Sequence, residues 1–277
     1  MTTATIEVSA PVVPTTTAPR RSRLDRVRHQ VRYDLLVMTR NREARFFTFA
    51  LPVLMLLLFV AIFGNQSFHL GGRTYPGSTY YVANQLVFGI VDAAMMTTAV
   101  AVVGYRELGV LKRRRATPQP AWVLIVSRAL VAVCTSLLLA GLLLVLGGAV
   151  FGVGVPMRAL PSLVLALVVG AFAFCALGFA ATSLIRTNES AMPTVMGLAL
   201  PLFFISGVFV PWFLIPSWLR SIAEVFPVRH LAAATTATLT STGGAAFRPV
   251  DLAIVAAWGI AALAVAARRF TWSPRAA

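Results

Sequence analysis

Long apolar runs broken by short polar stretches set the plan of this chain. A helix needs roughly 20 apolar residues to cross the ~30 Å hydrocarbon core of a bilayer. Runs of about that length predict six membrane spans: residues 46–63, 80–103, 128–151 and 161–184, one opening near Met192, and 249–267. Residues 1–19 are rich in Thr, Ala, Val and Pro without a helical period, and read as a disordered tail. In residues 20–45, Leu24, Val27, Val31, Leu35 and Met38 recur three or four apart and share one helical face. Arg23, Arg26, Arg28 and Arg32 fall largely elsewhere on the wheel, and Ser22 with Asp25 makes a candidate capping box. That pattern predicts a basic amphipathic helix lying on the membrane surface. Residues 64–79, with Gly71, Gly72, Pro76 and Gly77, read as an outer loop. The expected fold is all-α: the tail, the interface helix of 20–45, a six-span domain over 46–270, and a short tail over 271–277.

Two breaks in the apolar pattern carry most of the information. The first lies between the second and third spans: Tyr105-Arg106-Glu107-Leu108-Gly109-Val110-Leu111-Lys112-Arg113-Arg114-Arg115-Ala116-Thr117-Pro118. It holds the only lysine of the chain, Lys112. Hydrocarbon does not accept so many charges, so this stretch belongs in water at a membrane face. Leu108 and Leu111 give it an apolar edge suited to a short docked helix, and Thr117 before Pro118 reads as a helix stop and restart.

The second break covers residues 206–231. Pro211, Pro216 and Pro227 cut it into pieces too short to cross the hydrocarbon. Trp212 and Trp218 suit the headgroup level. From Ser217, the residues Trp218, Leu219, Ile222, Val225 and Phe226 form an amphipathic helical face. This segment is expected to be a short re-entrant or interfacial insert on the outer side.

Charge then sets the orientation. Of 24 basic residues, only Arg73, Arg158, Arg220, Arg229 and Arg248 fall in expected outer segments. The positive-inside bias puts the other face, and both termini, in the cytoplasm. Arg128, at the foot of the third span, is expected to snorkel to the inner surface. With 58% hydrophobic and 12% charged residues, the net charge of +15 reads as membrane topology and not as a nucleic-acid footprint. The second span is the least apolar, carrying Asn84, Gln85, Asp92 and Thr97. Asp92 is the one acid deep in a span, where a carboxylate is costly and therefore a candidate for function on a substrate pathway. Gly170, Ala173, Ala176, Gly178 and Ala180 would let another helix approach the fourth span closely. Cys134 and Cys175 fall in apolar runs and read as small buried hydrophobes. His29, His69 and His230 are scattered, so no metal site is expected.

Taken with Ala116-Thr117-Pro118, the run Glu107-Leu108-Gly109-Val110-Leu111-Lys112-Arg113 resembles the loop motif of ATP-binding-cassette type-2 permeases, the daunorubicin-resistance branch in particular. The stretch Ser206-Gly207-Val208-Phe209-Val210-Pro211, followed by Pro216-Ser217-Trp218-Leu219, Pro227 and His230, resembles that family's segment before the last span. Arg114 departs from the pattern, which often has an aliphatic residue there. The resemblance implies a coupling helix seated in a cytosolic ATP-binding subunit, carried by Arg106, Glu107, Leu108, Gly109, Leu111, Lys112, Arg113, Thr117 and Pro118. It implies that Gly207, Pro211, Pro216, Trp218, Glu224, Pro227 and His230 shape an outer insert that closes the exit. It also implies a bacterial inner-membrane protein.

The chain has no Gly-rich loop of the form G-x-x-x-x-G-K-[ST], so it is expected not to hydrolyse ATP itself. ATP and Mg would be bound by the partner subunit. A bundle of six spans is thin-walled, so a pathway between two permease chains, identical or not, is expected. The reading is a permease exporting amphipathic drug-like molecules or lipids. Its rivals are a polysaccharide or glycolipid exporter of the same fold, a proton-driven secondary transporter resting on Asp92, and a membrane enzyme, for which no nucleophile–base set appears.

Overall fold

A computed structural model describes residues 23–70, 73–110, 121–241 and 246–269. Both expected tails, Ser22 of the capping box and residues 111–120 of the polar loop lie outside the described residues. The helices in order are α1 (Arg23–Arg40), α2 (Phe46–Phe63), α3 (Gly77–Glu107), α4 (Ala121–Phe151), α5 (Leu160–Ala181), α6 (Asn188–Ile205), α7 (Ser217–Ala223), α8 (Pro227–Leu239) and α9 (Pro249–Arg269). An antiparallel hairpin of β1 (Ser67–Leu70) and β2 (Arg73–Pro76) joins α2 to α3. The sequence pattern predicts a loop here; Gly71-Gly72 between two short runs is the hairpin signal within it.

Five helical segments are long and apolar enough to cross a membrane: Phe46–Phe63, Gly77–Glu107, Trp122–Phe151, Met157–Ala181 and Pro249–Arg269. Helix α4 begins well before Arg128, the expected start of the third span. The expected fifth span, α6, is helical over 18 residues but opens on Asn188 and Glu189 and contains Pro193 and Pro201. These dilute its apolar character. Its first residue contacts Glu107, at the end of α3, and the turn after it contacts Tyr80, near the start of α3. Helix α6 therefore runs between the two ends of the bundle. One end carries Arg106, Arg128 and Arg186 (the basic end), and the other carries the hairpin.

Helix α3 is the buried axis, with α2, α4, α5, α6 and α8 packed around it. Apolar surface gains little by leaving lipid for protein, so close fit must hold such helices together. The small residues of α5 supply it. A Cβ on Gly178 would stand 2.6 Å from Met95 O of α3, and one on Gly170 would meet Leu231 of α8 at 2.8 Å. Ala173 lies against Gly259 of α9. Opposite Gly178, α3 widens into a π-helical segment, Val91–Met96. Such a turn breaks the regular backbone ladder. Thr97 Oγ1 donates to Ala93 O at 2.6 Å there, and Arg128 Nη2 donates to Thr97 O at 3.3 Å.

At the hairpin end, aromatic rings knit the elements together. Phe59 of α2 stacks on Tyr81 at 5.1 Å, and Phe68 of β1 meets Tyr80 edge-on at 5.4 Å and Phe213 at 5.2 Å. Cys175 is buried as expected, but Cys134 is exposed on α4.

Candidate functional site

The polar loop begins on a helix end, and two adjacent residues of opposite charge decide where that end sits. Arg106 is buried, and its guanidinium reaches across to the turn after α5. Nη1 donates to Thr182 O at 3.2 Å, and Nη2 donates to Ile185 O at 2.7 Å and Arg186 O at 3.1 Å. Thr182 is the C-cap of α5, at the negative end of its dipole, and the carbonyls of Ile185 and Arg186 belong to the turn beyond it, so a fixed cation there satisfies backbone oxygens that no helix ladder uses. Glu107 faces the opposite need. Its Oε1 accepts from the backbone N–H of Asn188 at 2.6 Å, at the positive start of α6. Thr187 caps that same helix by accepting from Ser190 N–H. Arg106 and Glu107 thus clamp the end of α3 to the turn that joins α5 to α6.

Glycine 109 explains why α3 stops immediately after the clamp. Its φ of +67° is left-handed, and its N–H donates to Arg106 O at 3.2 Å, a glycine ending of the common helical kind. Leu108 is exposed beside it. Of the expected coupling residues, Leu111, Lys112, Arg113, Thr117 and Pro118 lie outside the described residues.

A second cluster lies just beneath the clamp and was not legible as a site in the sequence. Asp34 of α1 is 2% exposed. Its Oδ1 accepts from Gln30 Nε2 at 2.8 Å and from the Tyr105 hydroxyl at 3.2 Å, while its Oδ2 lies 3.6 Å from Arg128 Nη1. Arg128 therefore points into the protein instead of snorkelling outward. Helix α1 is correspondingly packed against α4 along the predicted stripe, with Val27 buried and Val31, Leu35 and Met38 half-buried; Leu24 alone of the five is exposed. Asp34 sits seven residues from Val27, on that inward face, and a lone carboxylate at such a spacing was the available signal.

The four polar residues of the second span are separate features in one chain. Asn84 Nδ2 donates to Tyr80 O at 2.9 Å, and Asn84 Oδ1 and both polar atoms of Gln85 have no hydrogen-bond partner among the described residues. Asp92 is buried, with Oδ2 unpartnered among the described residues, beside a cavity of about 10 Å³ lined also by Phe88, Met96, Val195, Ala199 and Phe203. That is barely room for one water. Asn84, Gln85 and Thr97 do not line it.

The proline-cut segment after α6 is larger and more deeply set than its sequence pattern predicts. Gly207, with φ of +87°, turns the chain after α6 and accepts from the Tyr80 hydroxyl at 2.6 Å. The Tyr80 hydroxyl oxygen in turn accepts from Trp212 N–H at 3.1 Å. Pro211 leads into a single 3₁₀ turn, and Pro216 precedes α7, on which Trp218 is exposed. Pro227 then opens α8, whose 13 residues are mostly buried. Its Ala- and Thr-rich second half has too little apolar contrast to read as a packed helix from sequence. His230 bridges Asp251 of α9 at 2.7 Å and Glu224 O at 2.7 Å, and Arg248 pairs with Asp251 at 2.6 Å. The Arg229 guanidinium lies 3.6 Å from the centre of the Trp212 ring. Burial lowers its pKa from the ordinary arginine value.

A family model described as ABC-2 type transporter matches residues 27–240. The chain belongs to the ABC-2 type transporter family. Two curated proteins, each named "Probable multidrug ABC transporter permease YbhR", from Escherichia coli strain K12 and Escherichia coli O157:H7, are 25% identical to it over 153 residues. Each alignment covers 54% of this chain and 41% of the relative, so the chain spans about two-fifths of the curated relatives it matches. The family match takes in α1 from Val27 onward, the clamp, α6 and the whole proline-cut segment through α8. In this ABC-2 chain, the contacts of Arg106 and Glu107 tie the end of α3 to the turn between α5 and α6.

Proposed function

We propose that this chain is the permease subunit of an ATP-driven exporter, and that the loop of residues 105–118 receives a separate ATP-binding subunit, which would hold ATP and Mg. The observation that carries this reading is the clamp. Arg106 and Glu107 fasten the start of the loop to the facing ends of α5 and α6, so a force applied there moves three helices together instead of bending a free loop. In this reading α6 completes six crossings, both termini lie in the cytoplasm of a bacterium, and the outer insert closes the exit. Two permease chains form the pathway, with Asp92 near it. The printed names of the Escherichia coli relatives, together with the wide apolar surface, support an amphipathic drug-like cargo; lipids are the next choice.

The test is co-purification with the ATP-binding subunit, followed by ATPase assays of two variants. Glu107→Gln keeps an oxygen acceptor for Asn188 N–H but removes the charge, and Glu107→Arg puts a cation against the positive start of α6. The expected result is near-normal coupling in the first and loss in the second, with membrane insertion intact in both. Normal coupling in Glu107→Arg refutes a coupling role for this contact. Absence of any associated ATPase refutes the exporter reading.

A further inference from the structure

The first turn of α8 carries an imidazole with two contacts that a neutral ring cannot make together. His230 Nδ1 lies 2.7 Å from Asp251 Oδ1 of α9, and its Nε2 lies 2.7 Å from Glu224 O, at the end of α7. Both partners are acceptors, one a carboxylate oxygen and the other a backbone carbonyl. A neutral imidazole has one N–H and one lone pair, and only the imidazolium donates from both nitrogens. The two short contacts therefore describe the protonated ring. Both side chains keep a narrow opening to water, 12% for His230 and 11% for Asp251, so the proton can exchange.

Loss of that proton breaks one particular contact. Asp251 is the stronger acceptor because it is charged, and Arg248 Nε holds its other oxygen at 2.6 Å. The remaining N–H stays on Asp251, and Nε2 then turns a lone pair toward Glu224 O. Helix α7 has little else to hold it. It is seven residues long, with Trp218 and Ile222 exposed and Ala223 its one buried residue. Just beyond it, Val225 O accepts from Trp258 Nε1 of α9 at 2.9 Å, and Phe226 stacks on the Trp258 ring. That second tie has no titrating group, so it serves as the hinge.

Other charged groups surround the ring. Helix α9 brings Asp251, with Arg248 just before it; α7 brings Arg220, with Glu224 at its end. Arg229, next to His230 on α8, stacks on Trp212, and α3 brings the Tyr80 hydroxyl. Helices α5 and α6 bring no charged side chain to this end, and Arg158, before α5, is exposed. Groups of these kinds ordinarily keep their charge between about pH 5 and about pH 8, where an imidazole loses its own.

We propose that His230 is a proton-operated latch: the imidazolium fastens the end of α7 to the start of α9, and deprotonation releases α7. The latch is closed at low pH and opens as pH rises through the imidazole titration. Its meaning for transport rests on the reading above, in which this segment closes the exit, so that acid on that side holds it shut. The latch itself does not depend on that reading, and its test uses no ATPase.

The full chain has three histidines, and His29 and His69 are exposed. With His29→Gln and His69→Gln, nitrogen-15 histidine labels His230 alone. The protein is reconstituted in phosphatidylcholine bilayers, and solid-state NMR reads the ring nitrogens at about pH 5 and about pH 8. Amide exchange of residues 220–226 is followed in the unmodified chain, as protection relative to free peptide at the same pH. Both ring nitrogens should be protonated at the lower pH and Nδ1 alone at the higher. Protection of residues 220–226 should fall about tenfold across the step, as loss of one charge-assisted hydrogen bond implies, while residues 231–236 hold. His230→Ala should leave α7 unlatched at both values. Asp251→Asn should do the reverse, because its amide can donate to Nδ1 of the neutral ring and leave Nε2–H on Glu224 O. Equal protection at the two pH values in the unmodified chain overturns the proposal. A fall that persists in His230→Ala puts the sensor elsewhere and overturns it, as does a ring whose protonation does not change. A pH step undiminished in Asp251→Asn removes the carboxylate from the latch and overturns it as well.

Discussion

Removing Arg106 should loosen one place in the molecule far more than any other. Its guanidinium makes three hydrogen bonds of 2.7–3.2 Å to the carbonyls of Thr182, Ile185 and Arg186. A hydrogen bond to a charged group contributes roughly 1.5–3 kcal/mol net, so three set an upper limit of about 5–9 kcal/mol. Arg186 is exposed, and water can replace part of what its carbonyl loses. Arg106→Ala should therefore cost about 3–5 kcal/mol, in the range for breaking a buried charged contact. Arg106→Lys keeps the charge but cannot fork across three acceptors, and should cost about half as much. The assay is amide hydrogen exchange of the reconstituted protein. A local opening energy reduced by that amount speeds exchange of residues 183–190 by roughly two to four orders of magnitude, while residues 228–236 at the other end stay unchanged. An inserted Arg106→Ala protein whose 183–190 amides exchange at the unmodified rate would refute the clamp.

Asp34→Asn should destabilise the chain by about 2–4 kcal/mol in thermal melts, because it leaves Arg128 buried beside a neutral amide. Pairing Asp34→Leu with Arg128→Met should recover much of that loss, and a double-mutant cycle measures the coupling. Gly178→Ala should cost about 1–3 kcal/mol, since its methyl group would meet Met95 O at 2.6 Å and the π segment of α3 would have to shift; thermal melting in detergent reads it. Tyr80→Phe removes the hydroxyl that joins Gly207 O to Trp212 N–H, at about 1–2 kcal/mol, and should speed proteolysis between residues 206 and 216 without affecting the basic end.

The apolar runs made the long helices legible, because an uninterrupted span of lipid-soluble residues has few structural alternatives. The small residues of α5 were equally readable, since close approach is what holds helices together in lipid. Three things were not. The burial of α8 depends on neighbours that its own Ala- and Thr-rich sequence does not name. The hairpin depends on pairing across Gly71-Gly72, whose short flanking runs carry little apolar contrast. The inward turn of Arg128 depends on Asp34, far away in the chain, arriving from α1.

Arg106 shows the general reason. A charged residue where a span meets a loop reads as water-facing, because hydrocarbon rejects it. At that depth, however, there is a second receptor for charge: the backbone carbonyls of the turn that follows a neighbouring helix. An arginine satisfies several at once, and an adjacent glutamate satisfies the N–H groups that begin the next helix. A turn between two antiparallel helices presents both ends side by side, so an Arg-Glu pair at the tip of a third helix fits it by sign as well as by reach. The order of the pair then matters physically. Exchanging the two residues keeps the composition and the net charge, yet it sets a carboxylate against the carbonyls of the turn after α5 and a cation against the amide of Asn188.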